Sequence, residues 1–279
     1  MGTSDVALGE LTTLFQFGTV GDVDDNQLLD RFLSSRDSGA EAAFAALVER
    51  HGPMVLGICR RRLGDPHDAQ DAFQTTFLVL VKRAHSIRNQ KSVASWLFGV
   101  ACRVTARAKR DEARRIAKER HAAKMLEALK PVDGPLESWS ELYEEVERLP
   151  DKYRLPIVLH YFEHMSYEQV AKRVDCPLRT VQTRLARGRE RLRSRLRRRG
   201  LETSAGLLVA AQTKDVCSLE FSKALAWKLA RDASRFASES LSPLVSAKVA
   251  SWTSGVLRTM IMTKLVSASV VAMAIGGLE

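Results

Sequence analysis

The chain has 279 residues, a formal net charge of +10 and a pI near 9.7, a balance that points to a polyanionic partner. Its four cysteines (Cys59, Cys102, Cys176, Cys217) contain no Cys-x-x-Cys pair, which argues against a disulfide framework or a structural zinc cluster and for a reducing cytosol. No basic-then-apolar signal segment opens the sequence, and the scarcity of aromatics and of β-branched alternation predicts an all-α chain.

Residues 1–26 show no hydrophobic period and are read as a mobile extension, with Leu11, Leu14, Phe15 and Phe17 at most one weak turn. A first helix is predicted over 26–36, with Leu28, Leu29, Phe32 and Leu33 inward. A second covers 40–63, with Phe44, Leu47, Val48, Val55, Ile58 and Cys59 on its core side. Gly52-Pro53 predicts a kink or break in it. Asp65-Pro66 is a helix start, the Asp as cap and the Pro at the first helical position. The helix that follows, to residue 85, buries Phe73, Phe77, Leu80, Val81 and Ala84, and shows Asp68, Gln70, Asp71, Gln74 and Thr75 on its polar side. Residues 86–92 read as a polar loop.

From Val93 to Arg110 an apolar stripe of Trp96, Leu97, Val100, Ala101 and Val104 faces inward, and Arg103, Arg107, Lys109 and Arg110 face outward. A charged run ending in Pro131, Gly134 and Pro135 is a linker. An amphipathic helix over 136–149 and a short helix over 153–164 come next. His160 and His164 in the latter stand at the spacing of two metal ligands, but no third ligand accompanies them, so a structural or surface role is the expectation.

Ser166 with Gln169 forms a capping box, Pro177 ends the helix it starts, and a second helix carries Val181, Leu185, Leu192 and Leu196 on one side. Two helices joined by a tight turn make a helix-turn-helix candidate, whose second helix enters the major groove. From Arg179 to Arg199 there are ten Arg against one Glu, and the Arg fork matches phosphate and guanine geometry.

Two blocks together resemble a family. Leu149-Pro150, Met165 to Ala171 and Thr180 to Arg187 are similar to the last domain of bacterial RNA polymerase sigma factors of the extracytoplasmic-function (ECF) group. Asp68 to Phe77, with Trp96-Leu97-Phe98, resembles the family's earlier domain. Where members usually have Gly before the Thr-Val pair, Glu after the matching Gln, and often Asn on the Trp-bearing helix, this chain has Arg179, Thr75 and Arg103. The resemblance implies two small helical domains: region 2-like over 27–111 and a region 4-like helix-turn-helix over 136–199, joined by a charged linker at 112–135. A helical C-terminal extension, 200–279, follows.

It further implies that Asp68, Asp71 and Gln74 contact the clamp helices of core RNA polymerase. The loop with Arg88, Asn89 and Lys91 would hold a base flipped from the melted promoter, which is physically feasible because an unpaired base can be read on its edges. Arg103, Arg107 and Arg110 would bind DNA near the start of melting. Arg179, Thr180, Gln182, Thr183, Arg184 and Arg187 would face the upstream promoter element. The function implied is recruitment of core polymerase to promoters in response to a stress or signal, without catalysis or cofactor, in the cytoplasm. The partners are core polymerase, promoter DNA and an anti-sigma regulator.

Two rivals remain open. A stand-alone helix-turn-helix repressor or activator would explain the second block and leave residues 65–110 unexplained. A membrane-tethered interaction protein would use the tail, where Leu265–Leu278 is an uncharged run of 14 residues after Lys264. A span needs about 20, so burial or partner packing of this run competes with membrane contact.

Overall fold

The computed structural model describes residues 23–34, 38–87, 92–122, 135–201, 221, 223–238 and 246–260; the predicted N-terminal turn, the loop bearing Arg88, Asn89 and Lys91, and the run Leu265–Leu278 lie outside them. Among the described residues there are helices and no strands. Helices α1 (Asp25–Ser34), α2 (Ser38–Arg62), α3 (Pro66–Ile87) and α4 (Val93–Ala122) form the first body. The second holds α5 (Pro135–Glu147), α6 (Asp151–Ile157), a π-helical turn (Val158–Phe162), α7 (Tyr167–Val174) and α8 (Leu178–Arg198). Helix α9 (Lys223–Ser238) and a helix over 247–260, α10, come from the C-terminal extension.

Of the kink or break expected at Gly52-Pro53, the break does not form: α2 runs from Ser38 to Arg62 with Pro53 inside it. An interior proline costs roughly 3 kcal/mol, but Leu47 and Val48 before it and Val55, Ile58 and Cys59 after it are all buried. Splitting the helix would expose one of these halves. Helix α3 starts as predicted, with the Asp68 amide donating to Asp65 Oδ1 at 2.8 Å. Thr75, assigned to its polar side, is instead fully buried, because α3 has neighbours on more than one side. Helix α4 continues past Arg110 into the stretch read as linker, held there by Arg115 bonding Glu112 at 2.7 Å and Glu119 at 2.8 Å, one turn apart on either side.

The two bodies share one hydrophobic core. Phe98 on α4 is fully buried, its ring 5.8 Å from Tyr143 of α5 and 5.1 Å from Phe162 of the π turn. Phe98 lies outside the predicted stripe of α4, and Tyr143 lies outside the stripe that Leu136, Trp139, Leu142, Val146 and Leu149 make by their spacing in the helix predicted over 136–149. Each is buried because α4 and α5 have a second packed side, where the bodies meet. Arg61 stacks over Trp139 at 4.6 Å on the same seam.

The helix predicted over 153–164 turns out to be α6 followed by the π turn. Pro156 sits inside α6, and the Glu163 amide reaches back five residues to donate to the Val158 carbonyl at 3.1 Å. The wider turn buries both Tyr161 and Phe162 and brings Glu163 to the first body. There it meets His51, which is completely buried between Glu163 Oε1, 2.5 Å from Nδ1, and Asp25 Oδ2, 3.1 Å from Nε2. Asp25 also accepts from Arg50 at 2.5 Å and pairs with Arg173 of α7. One side chain of α1 and one of α2 are thus tied to two residues of the second body. Burial alone would depress the His51 pKa. The carboxylates of Glu163 and Asp25 outweigh it and push the imidazole up to about 10. Burial would likewise raise Asp25, but His51 and Arg173 hold it far below the carboxylate range.

The folded chain therefore keeps the His51 proton to about pH 10, whereas an unfolded histidine releases it near 6.5. The stabilisation is complete below pH 6.5 and falls as pH rises through 10, with a limiting slope of about 1.4 kcal/mol per pH unit. Urea midpoints taken from pH 6.5 to 10 are expected to fall steadily for the native chain. The His51→Gln chain, already less stable at pH 6.5, is expected to show a flatter profile over the same range.

Candidate nucleic-acid interface

The helix-turn-helix is built from short-range signals. Ser166 caps α7 reciprocally: its hydroxyl accepts from the Gln169 amide at 3.2 Å, and the Gln169 side chain accepts from the Ser166 amide at 2.8 Å. The helix ends at Asp175, in the left-handed region at φ 49°, and the Cys176 amide donates to the Ala171 carbonyl at 3.1 Å. Pro177 then precedes the first residue of α8, whose opening is regular with Arg179 in place: the Thr180 amide donates to the Pro177 carbonyl at 2.8 Å. Val181, Leu185, Leu192 and Leu196 are buried, as their spacing predicts.

The opposite side of α8 is the candidate interface. Arg179, Gln182, Thr183 and Arg187 are exposed, and their spacing of three, four and eight residues places them on one stripe. Thr180 and Arg184 are half-buried beside it. Arg184 donates to Cys176 Sγ at 3.7 Å, so it also braces the turn. The Thr183 hydroxyl donates to the Arg179 carbonyl of its own helix at 2.9 Å.

Two features that hold this helix lack a simple sequence signal. Glu145 on α5 is almost fully buried, accepting from Arg148 at 2.8 Å and facing Arg199 at 2.9 Å and Arg195 at 3.5 Å, which anchors the basic end of α8. Gly188 lets α8 approach α6: an added Cβ would lie 3.2 Å from Ile157 Cγ1 and 3.5 Å from Tyr153 Cβ. A glycine at a core-side position in a long helix was the only available hint of that approach.

The other sequence-predicted site residues lie on the first body. On α3, Asp68, Asp71 and Gln74 share one side and are all half-buried. On α4, Arg110 is exposed, but Arg103 pairs with Glu147 of α5 at 2.7 Å and Arg107 lies against Gly255 of α10 and 3.6 Å from Asp111. The structure thus gathers the α8 residues on one open face and divides the α4 cations between solvent and internal pairs. His160 Nδ1–H donates to the Met165 carbonyl at 2.8 Å, and the ring packs on Tyr167, a structural setting. Among the described residues no group of His, Cys, Asp and Glu is arranged to hold a metal ion.

Comparison with known proteins matches both bodies. The family model described as Sigma-70 region 2 matches residues 47–115, and Sigma-70, region 4 matches residues 139–192. The chain carries the Sigma-70 region 2 and region 4 domains of a sigma factor, and its relatives are named ECF sigma factors. It is similar to the ECF RNA polymerase sigma factor SigW of Bacillus subtilis, 29% identical over 171 residues that cover 57% of this chain and 91% of that one. It is also similar to the RNA polymerase sigma-H factor of Pseudomonas aeruginosa (28% over 180 residues, 60% and 90%) and the ECF RNA polymerase sigma-E factor of Escherichia coli K12 (29% over 177 residues, 59% and 92%). Sigma factors of this family are transcription initiation factors.

Gly188→Leu in this sigma factor would drive a side chain into Ile157 and Tyr153. A loss of about 1–3 kcal/mol is expected from overpacking, read as a lower urea midpoint. Gly188→Ala is expected to stay near the native value, since its tight contact is offset by up to about 1 kcal/mol of helix propensity.

Proposed function

We propose that this sigma factor divides its work between the two bodies. As a sigma factor it directs core RNA polymerase to promoters and takes part in opening them for initiation. In the proposed division, Asp68, Asp71 and Gln74 of α3 dock on the polymerase, and Arg103, Arg107 and Arg110 of α4, with Arg88, Asn89 and Lys91 that precede it in sequence, hold the melted promoter. Arg179, Thr180, Gln182, Thr183, Arg184 and Arg187 of α8 grip the upstream element. The observation that carries the reading is the single open stripe of Arg179, Gln182, Thr183 and Arg187 on a well-capped second helix, the geometry by which helix-turn-helix units read the major groove. The domain limits we assign are 27–111 and 136–199, with 112–135 between them.

Two further assignments belong to this proposal. An anti-sigma regulator is a partner we infer from the signal dependence of the ECF group, and the cytoplasm is the location we infer from the need to meet core polymerase. Among the described residues no helix is long and apolar enough to cross a membrane. Contact of Leu265–Leu278 with a membrane or partner rests on the uncharged run itself.

Transcription in vitro with purified core polymerase tests the function: promoter-dependent transcripts are expected only when the protein is added. Promoter binding by two Arg variants tests the assignment on α8. Arg187→Ala is expected to lose roughly 1–3 kcal/mol and to relax selectivity at one base of the upstream element. Arg197→Ala, at the exposed far end of the helix, is expected to weaken all sequences alike and to flatten the salt dependence, the mark of a phosphate contact. Unchanged selectivity for Arg187→Ala would remove it from the reading set.

A further inference from the structure

Helices α9 and α10 lie on the first body, α10 against the side of α3 assigned to core polymerase. Helix α10 buries Val249, Trp252 and Val256. Its Lys248 ammonium pairs with Asp68, sits 3.5 Å from Asp71 Oδ2, and stands 4.9 Å from the Trp252 ring centre. The Trp252 indole N–H donates to Asp111 Oδ2 at 3.1 Å. One turn on, Gly255 lies directly against Arg107: a Cβ there would fall 2.2 Å from the guanidinium carbon. Helix α9 continues the cover, with Lys82 donating to the Phe236 carbonyl at 3.1 Å and lying over its ring. Ahead of it, the Phe221 ring stands 6.0 Å from Phe73.

We propose that helices α9 and α10 form an intramolecular mask that competes with core RNA polymerase for the Asp68–Asp71 face of α3. The inference rests on the reading of that face as the polymerase contact. Lys248 presents to two carboxylates the cation that any basic partner surface must present, so the two occupants exclude one another. The cover over Arg107 withholds a promoter-facing cation in the same closed state. The contact is also of a separable kind. Its ion pairs keep 24–44% of their side-chain surface in solvent, where such pairs are weak, and a cavity lined by Arg62, His67, Arg115 and Ser251 remains along the seam. A binding-competent state that is only partly populated lowers the apparent affinity by that fraction, so closing α10 sets how much of the factor is available to polymerase.

The test uses the full chain and purified core polymerase. Lys248→Glu repels Asp68 and Asp71, and Gly255→Leu pries α10 from Arg107. Each is expected to raise amide hydrogen exchange over 247–260 and to tighten core binding roughly three- to tenfold, the scale of one partly exposed ion pair with its neighbouring contact. In the Gly255→Leu background the mask is already off, so adding Asp68→Asn and Asp71→Asn reads polymerase docking alone, and core binding is expected to weaken. If docking weakens in that background while neither single variant tightens binding, the mask is wrong and the docking face stands. If the double neutralisation changes nothing, the docking reading has failed and the mask falls with it. If both single variants leave exchange over 247–260 at its native rate, α10 is not held as described and the proposal is overturned.

Discussion

The proton on His51 determines how the two bodies of this sigma factor sit together. A fully buried imidazole between two carboxylates is held as the cation, because Glu163 faces it at 2.5 Å and Asp25, which also pairs with Arg50 and Arg173, faces its other nitrogen. Neither carboxylate can be supplied locally: Glu163 lies 112 residues from His51 in sequence. The closed arrangement follows, since only it brings the π turn against α2. Arg173 then reaches Asp25 from α7, so the helix-turn-helix is oriented by the same cluster. The aromatic seam of Phe98, Tyr143 and Phe162 adds area without direction. Burial favours contact between the bodies, and the charges select which contact.

That division explains what could be read from the sequence. Every element whose signal is local was legible: the Asp65-Pro66 start of α3, the capping box at Ser166, and the stripe from Val181 to Leu196 on α8. Each is set by contacts within a few residues. The sequence also predicted helical bodies and a helical extension, and the exposed stripe on α8 came with them, since exposure there is the complement of the apolar spacing. What escaped had a second cause. Phe98 and Tyr143 lie off their helices' main stripes and are buried only because another body covers them. Thr75 was assigned to solvent for the same reason. Pro53 reads as a break until burial on both sides of it is known.

The π turn shows how a small local irregularity has a long-range effect. An α-helix through 158–163 would advance each side chain by its usual rotation, and Glu163 would leave the bearing it has now. One extra residue in the turn, with the Glu163 amide bonded five residues back, shifts every later position. Tyr161 and Phe162 both enter the core, and Glu163 faces His51. Pro156 just upstream cannot donate to an i−4 carbonyl, which loosens the helical ladder where the wider turn begins. The functional consequence is indirect: α7 and α8 hang from this turn, so their bearing relative to the first body is set there.

Closure also redistributes the positive charge of the molecule. A net charge of +10 suggests a surface ready for DNA, yet much of it is spent internally. Arg103 faces Glu147, Arg173 faces Asp25, and Arg195 with Arg199 faces Glu145. A guanidinium pairs with a carboxylate or with a phosphate at full strength, not with both. Exposed pairs of this sort are each worth little, whereas phosphate neutralisation also releases counterions and so gains at low salt. The exchange is therefore graded by burial. Arg103, about a third exposed, can trade Glu147 for a phosphate at small cost, while Arg173 leaving the nearly buried Asp25 would take one of the three cations that balance it. The α8 stripe needs no such exchange, because Gln182 and Arg187 already face solvent. The α8 stripe is thus open in this arrangement, while Arg103 and Arg107 of α4 are engaged in internal contacts.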